Sequence, residues 1–187
     1  MRIPATFKTF CRRIAGPYLE ATPKQRLMRL ALTVVLAGAA VGGEVWVYQH
    51  YRIAWDRQVL KCLDWHLLWL SLDNKELIRD KIYAYKSVQA APAVKVGTLM
   101  GKMLRGMPGD TVEVRSDETV LINGKVVAEG LPHLAGMTPE QRSKYFGKRV
   151  LGENEYWMLG TKYLSFDSRY WGPIQREQIV ARAYPLF

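Results

Sequence analysis

The segment Leu30–Gly43, LALTVVLAGAAVGG, constrains this chain more than any other stretch of it. After the lone acid Glu44 it continues as Val45-Trp46-Val47-Tyr48. Together these give about 18 apolar residues, close to the ~20 that cross ~30 Å of hydrocarbon. Ahead of it, Arg2, Lys8, Arg12, Arg13, Lys24, Arg26 and Arg29 stand against Glu20 alone, so more than half of the net charge of +10 precedes the apolar run. A buried soluble helix explains the Ala and Gly content but not those flanking charges. A cleaved signal peptide has a shorter basic region, and Ala37-Gly38-Ala39 is a weak cleavage site. The preferred reading is an uncleaved anchor over 30–48 behind a basic cytoplasmic N-terminus, 1–29. Positive charge stays inside, which puts residues 49–187 on the outer side of the membrane. Trp46, Tyr48, Tyr51 and Trp55 then form an interfacial belt, and Glu44, near the far end, snorkels or is protonated.

The topology also decides what the rest can hold. Cys11 and Cys62 fall on opposite sides of the membrane and cannot pair within one chain, which leaves Cys62 a free thiol in an exported domain. Two cysteines exclude a disulfide-dense scaffold and a four-thiolate zinc site. His50, His66 and His133 lie too far apart for a helical metal pair, and no phosphate-cradling glycine motif is present, so no metal, nucleotide or other cofactor is expected. A nucleic-acid binder would carry its basic stripe on the folded domain, so no nucleic-acid partner is expected.

With 49% hydrophobic residues, the chain can bury a core beyond the anchor, and that part reads as mainly β. Lys81–Tyr85, Lys95–Leu104, Thr111–Arg115, Thr119–Ile122, Lys125–Ala128, Tyr156–Leu159 and Gln178–Ala183 are strand candidates. Asp73-Asn74-Lys75-Glu76 and Met107-Pro108-Gly109-Asp110 are turns, and Asn123-Gly124 is a hairpin signal. The apolar run His66–Leu72 is too short for a helix of its own. Thr138-Pro139-Glu140-Gln141 supplies an N-cap, Pro at the first helical position and Gln three residues after the cap, which predicts a helix over 138–146. Short strands with repeated turns favour an antiparallel barrel or folded sheet.

Two polar boxes stand out. Lys102 is followed six residues later by Pro108-Gly109-Asp110, and the loop Ser165–Pro173 reads SFDSRYWGP. Taken alone, the first is a surface Lys before a turn and the second a turn held by an Asp–Arg pair. In this order, behind an N-terminal anchor and around an Asn-Gly hairpin, they resemble bacterial signal peptidase I over residues 28–187. More narrowly, they resemble the TraF-type conjugative-transfer peptidases that mature pilins. The resemblance implies a Ser/Lys-type peptidase anchored in the bacterial inner membrane, with residues 49–187 as a signal-peptidase-like β domain in the periplasm. It implies Lys102 as general base, Ser165 as the hydroxyl that orients it, and an Asp167–Arg169 pair that shapes the loop. A Lys amine is a base only when neutral, and burial against apolar groups such as Leu99, Met100, Met103 and Leu104 disfavours the ammonium. A neutral amine then takes a proton from a nearby hydroxyl or thiol.

The nucleophile box departs from the family. Signal peptidases carry Ser-Met-x-Pro about nine residues before a Gly-Asp. Here Arg79-Asp80 takes that place, and nine residues before Asp80 is Ser71, with no Pro after it. The conjugative register, Ser-x-Pro, aligns instead with Cys62-Leu63-Asp64, where Asp64 replaces the Pro. Cys62 follows the juxtamembrane segment, and a thiol, with pKa near ~8.5, asks less of the base than a hydroxyl does. Trp65, Trp69 and Met100 are candidates for a substrate groove or for core. The implied function is cleavage, or cyclisation, of a pilin or leader-bearing preprotein by acyl transfer. The implied partners are that substrate, inner-membrane lipid and other proteins of a type IV conjugation apparatus. The alternative is an inactive family member that binds pilin or scaffolds the apparatus.

Overall fold

The computed structural model describes residues 21–56, 61–73, 76–87 and 94–186. Most of the basic N-terminus, Cys11 included, and part of the Asp73–Glu76 turn lie outside the described residues. The chain divides into two compact units, Met1–Gln49 and His50–Phe187.

The first unit holds helix α1, Pro23–His50, of 28 residues. At ~1.5 Å per residue it is roughly 42 Å long. It begins seven residues before the apolar run because Thr22 and Gln25 close a capping box around Pro23: Gln25 Oε1 accepts the Thr22 N–H at 3.0 Å, and Thr22 Oγ1 accepts the Gln25 N–H at 3.4 Å. No residue of α1 is buried. Among the described residues it is the one helix long and apolar enough to cross a membrane.

The second unit is mainly β, and all of its described strand pairs are antiparallel. Its strands are β1 Tyr51–Trp55, β2 Leu67–Ser71, β3 Ile82–Lys86, β4 Leu99–Gly106, β5 Thr111–Val114, β6 Thr119–Ile122, β7 Lys125–Glu129, β8 Gly147–Val150, β9 Glu155–Leu159, β10 Ile174–Gln175 and β11 Ile179–Pro185. One sheet runs β1-β2-β11-β3-β4-β9-β10 and the other β7-β6-β5-β8. The last strand is inserted between two early ones, with Ala183 opposite both Leu70 of β2 and Ile82 of β3. Val112, Val120, Leu134, Trp157 and Leu159 form one buried cluster, under the smaller sheet and β9. Tyr83, Tyr85, Leu104 and Met158 form another.

The turn between β4 and β5 joins the two sheets. Gly109 takes φ +84° there. The Asp110 carboxylate accepts bonds from the Met107 N–H (2.7 Å), Asn123 Nδ2 (2.7 Å) and both terminal nitrogens of Arg79 (2.6 and 3.1 Å). Burial pushes this carboxyl up, but those donors outweigh burial and hold it below the usual carboxylate range. The Pro-Gly-Asp box is thus a structural junction. Asn123 (φ 51°) and Gly124 (φ 76°) close the two-residue β6–β7 hairpin with Ile122 opposite Lys125.

Tyr51 and Trp55 begin and end β1, which pairs along its length with β2. The helix expected over 138–146 is α2, Pro139–Ser143, with both halves of its Thr138/Gln141 capping box formed. It stays short because none of its residues is buried, while Tyr145 and Phe146 pack on the Val112 cluster instead. The loop at 165–173 contains one helical turn, α3, Ser168–Trp171.

Candidate active site

Along β4 the side chains alternate, and Met100, Lys102 and Leu104 are the buried set. Lys102 is 1% exposed and stands opposite Tyr83. Its Nζ donates to Ser165 Oγ at 2.9 Å, and among the described residues that is its one hydrogen-bond partner. A buried amine with one hydroxyl partner and no ion pair among the described residues is a candidate base.

Ser165 sits in a loop whose polar groups are nearly all engaged. Ser165, Asp167 and Ser168 are fully buried, and Arg169 is almost so. The Asp167 carboxylate caps α3 by accepting the Arg169 N–H at 3.3 Å. It also meets the Arg169 side chain as a fork, with Nε to Oδ1 at 2.8 Å and Nη2 to Oδ2 at 3.0 Å. Arg169 donates further to the carbonyls of Ser165 (2.9 Å) and Gly130 (2.8 Å), which ties the loop to the segment after β7. Burial works against the Arg169 charge, yet the bond to Asp167 outweighs it and raises the guanidinium further. Ser168 Oγ accepts the Met158 N–H at 2.9 Å, fixing the turn against β9.

Cys62 reaches the same corner from the other side. Its carbonyl accepts the Thr161 N–H at 2.9 Å. Two residues on, Asp64 pairs with Lys162, and that contact first, then Thr161, holds the Asp64 carboxyl below the usual range. Asp64 therefore docks the Cys62 loop onto the segment after β9 by charge. Gly160 marks the meeting point. A Cβ there would lie 2.0 Å from Ser165 Oγ and 2.5 Å from the Cys62 carbonyl oxygen. The Gly160 N–H donates to Asp167 Oδ2 at 2.9 Å.

Cys62 and Lys102 line one cleft of about 190 Å³, with Leu68, Leu70 and Ala84 among its apolar walls. Trp65 and Met100 line it too. Ser71 does not: Leu68 and Leu70 point into the cleft, so the alternation of β2 turns Trp69 and Ser71 to the opposite face. There Trp69 packs on Tyr51 with ring centroids 5.2 Å apart. The structure thus brings Lys102, Ser165, Asp167, Arg169 and Cys62 together and leaves Ser71 outside. Sequence reasoning missed Gly160; its signal was a glycine directly after the apolar strand YWML, five residues before Ser165. It also missed Tyr85, on the Lys102 face and diagonal to it. Its buried hydroxyl has no hydrogen-bond partner among the described residues, and burial first, then Asp167 and Cys62, pushes the phenol well up. Among the described residues no group of three His, Cys, Asp or Glu side chains converges to hold a metal ion.

The family model described as "Signal peptidase, peptidase S26" matches residues 87–187, more than half of the chain. The chain belongs to the signal peptidase S26 family. That match contains both Lys102 and the SFDSRYWGP loop. Among S26 relatives, a probable signal peptidase I-2 of Synechocystis sp. is 30% identical over 110 residues, covering 58% of this chain and 47% of that protein. Signal peptidase I V of Bacillus subtilis is 34% identical over 88 residues, covering 42% of this chain and 52% of that protein. The chain thus spans about half the length of these relatives. The crystal structure of a signal peptidase I from Enterococcus faecalis aligns at 26% identity over 57% of this chain and 96% of that one, with a TM-score of 0.37.

Proposed function

We propose that this S26 chain is a membrane-anchored endopeptidase that cleaves a leader-bearing or pilin-type protein on the outer side of the bacterial inner membrane. Cys62 is the nucleophile and Lys102 the general base. One observation carries the assignment: Cys62 and Lys102 line the same cleft, with Lys102 Nζ fixed by Ser165 Oγ. Lys102 takes the Cys62 proton, and the thiolate attacks the scissile carbonyl carbon. The tetrahedral intermediate collapses, and the leaving amine takes the proton back from Lys102. Water, deprotonated by the same amine, then hydrolyses the thioester and frees Cys62. Ser165 is a positioning residue, because it holds the amine rather than touching substrate. α1 supplies the anchor, and the charge ahead of its apolar run supports a cytoplasmic N-terminus. The spacing around Cys62 supports the conjugative branch and hence a pilin-type substrate.

The test is the intact mass of a candidate pilin co-expressed with wild type, Cys62→Ala or Ser71→Ala. We expect shortening with wild type and with Ser71→Ala, and none with Cys62→Ala. A product lighter by one further water is a cyclised one. The reverse pattern for the two variants contradicts the nucleophile assignment. Full-length pilin in every sample, across two candidate substrates, favours the inactive scaffold.

Gly160→Ala checks the geometry independently. The added methyl overlaps both a side chain and a backbone carbonyl, so neither loop can stay in place. We expect about 1–3 kcal/mol of destabilisation from overpacking and a loss of roughly 100-fold in cleavage from displacing the amine by ~1 Å. Cleavage at the wild-type rate would show that Ser165 does not set the position of Lys102.

A further inference from the structure

Away from the Lys102 cleft, the smaller sheet ends in β8, an edge strand whose four residues, Gly147–Val150, are all exposed. Val150 is 62% exposed. Beside β8 lies a cavity of about 360 Å³, large enough for several side chains of a ligand. Trp157 and Trp171 contribute to its apolar wall, and Lys144, Lys148 and Arg149 stand at its β8 side. No described carboxylate lines it. Arg149 is held by Glu155, and Lys148 lies 3.9 Å from Glu113, but Lys144 has no ion-pair partner among the described residues. Edge strands are normally kept short, charged or covered, because their free amides template pairing with another chain. β8 is short and charged, yet it opens onto a cavity that charge alone does not explain.

We propose that β8 and this cavity form a docking site for an extended, acidic segment of a partner polypeptide. The segment adds to the free edge of β8 through its main chain, and its carboxylates and apolar side chains fill the Lys144/Lys148 rim and the tryptophan-lined cavity. A lipid headgroup satisfies the charge but offers no peptide groups to the edge, so the edge favours a polypeptide. The floor of the cavity includes Ser168 and Arg169, so an occupant would sit behind the loop that holds Ser165. The site is independent of the cleavage chemistry and stands or falls without it.

The test uses the full chain in detergent and a fluorescein-labelled peptide of alternating Glu with Val and Phe. Comparison probes are the Lys counterpart, the Glu peptide N-methylated at alternate residues, inorganic phosphate, and vesicles of anionic phospholipid. We expect the Glu peptide to bind at least tenfold more tightly than the Lys or N-methylated peptide. We expect Lys144→Gln/Lys148→Gln to weaken it about tenfold with unchanged circular dichroism. The indole N–H signal of Trp157, a buried donor with no acceptor among the described residues, should shift on binding. Equal binding of the Glu and Lys peptides, or no effect of the double variant, overturns the site. Indifference to N-methylation overturns strand addition. Binding of phosphate or vesicles that is lost in Lys144→Gln/Lys148→Gln, without binding of the peptide, overturns the polypeptide as occupant.

Discussion

Lys102→Met is expected to abolish cleavage while leaving the domain at least as stable as wild type. A positioned base contributes about 10²–10⁴-fold, and here the same amine serves both acylation and deacylation, so the loss should reach at least ~10³. Stability moves the other way. A lysine that is 1% exposed and bonded to one hydroxyl holds a polar group out of water with a single partner, which is costly. Met fills nearly the same volume without that cost. The opposing term is the Ser165 hydroxyl, which loses its donor and costs about 1–3 kcal/mol if it finds no other partner. The net expectation is a change between zero and about 2 kcal/mol in favour of the variant. At ~2–4 °C per kcal/mol for a chain of this size, a melting curve resolves it. A variant that unfolds would mean that Lys102 is a structural group and not a stored base.

Asp167→Ala is expected to give the largest loss of stability in the domain. The carboxylate is fully buried and accepts from the Gly160 N–H, the Arg169 N–H and two nitrogens of the Arg169 guanidinium. Removing it strands a buried guanidinium, which costs about 3–5 kcal/mol. That lowers the melting temperature by roughly 6–20 °C. Asp167→Ala/Arg169→Met should recover a large part of the loss, because the cost lies in the unpaired charge rather than in the absence of the pair. Cleavage should not recover with stability, since the Ser165 carbonyl and the Gly130 carbonyl both lose the Arg169 donors that fix the loop. A loss under about 1 kcal/mol for the single variant would mean that the loop is held elsewhere.

Where the sequence spoke clearly, one local rule was enough. Leu30–Tyr48 is apolar on every side, Asn123-Gly124 requires two positive φ values, and Thr138/Gln141 is a cap that forms by itself. α1 begins ahead of the apolar run because the Thr22/Gln25 capping box, not hydropathy, sets its start. β8 was missed for a different reason: Gly147-Lys148-Arg149-Val150 has no buried face, and its strand conformation comes from pairing with β5, where Val150 stands opposite Thr111. β1 was not legible as a strand, because its conformation comes from pairing along its length with β2. No local rule places β11 between β2 and β3.

The site divides along the same line. The Lys102 and Ser165–Pro173 boxes were legible because each is contiguous and chemically unusual. Their contact across 63 positions is a tertiary fact. The placement of Ser71 was half legible: the alternation in Leu67–Ser71 already puts Ser71 on the face opposite Leu68 and Leu70. What the alternation does not give is which face the cleft lies on.

The most direct test of the account is a quench experiment on the full chain. The protein is mixed with a candidate pilin or leader-bearing substrate, stopped with acid within a turnover, and weighed intact before and after fragmentation. The account predicts a mass increase equal to the N-terminal substrate fragment less one water, located on Cys62, removed by neutral hydroxylamine and absent in Lys102→Met. Cleavage with the adduct on Ser71, or undiminished cleavage by Cys62→Ala, would contradict it.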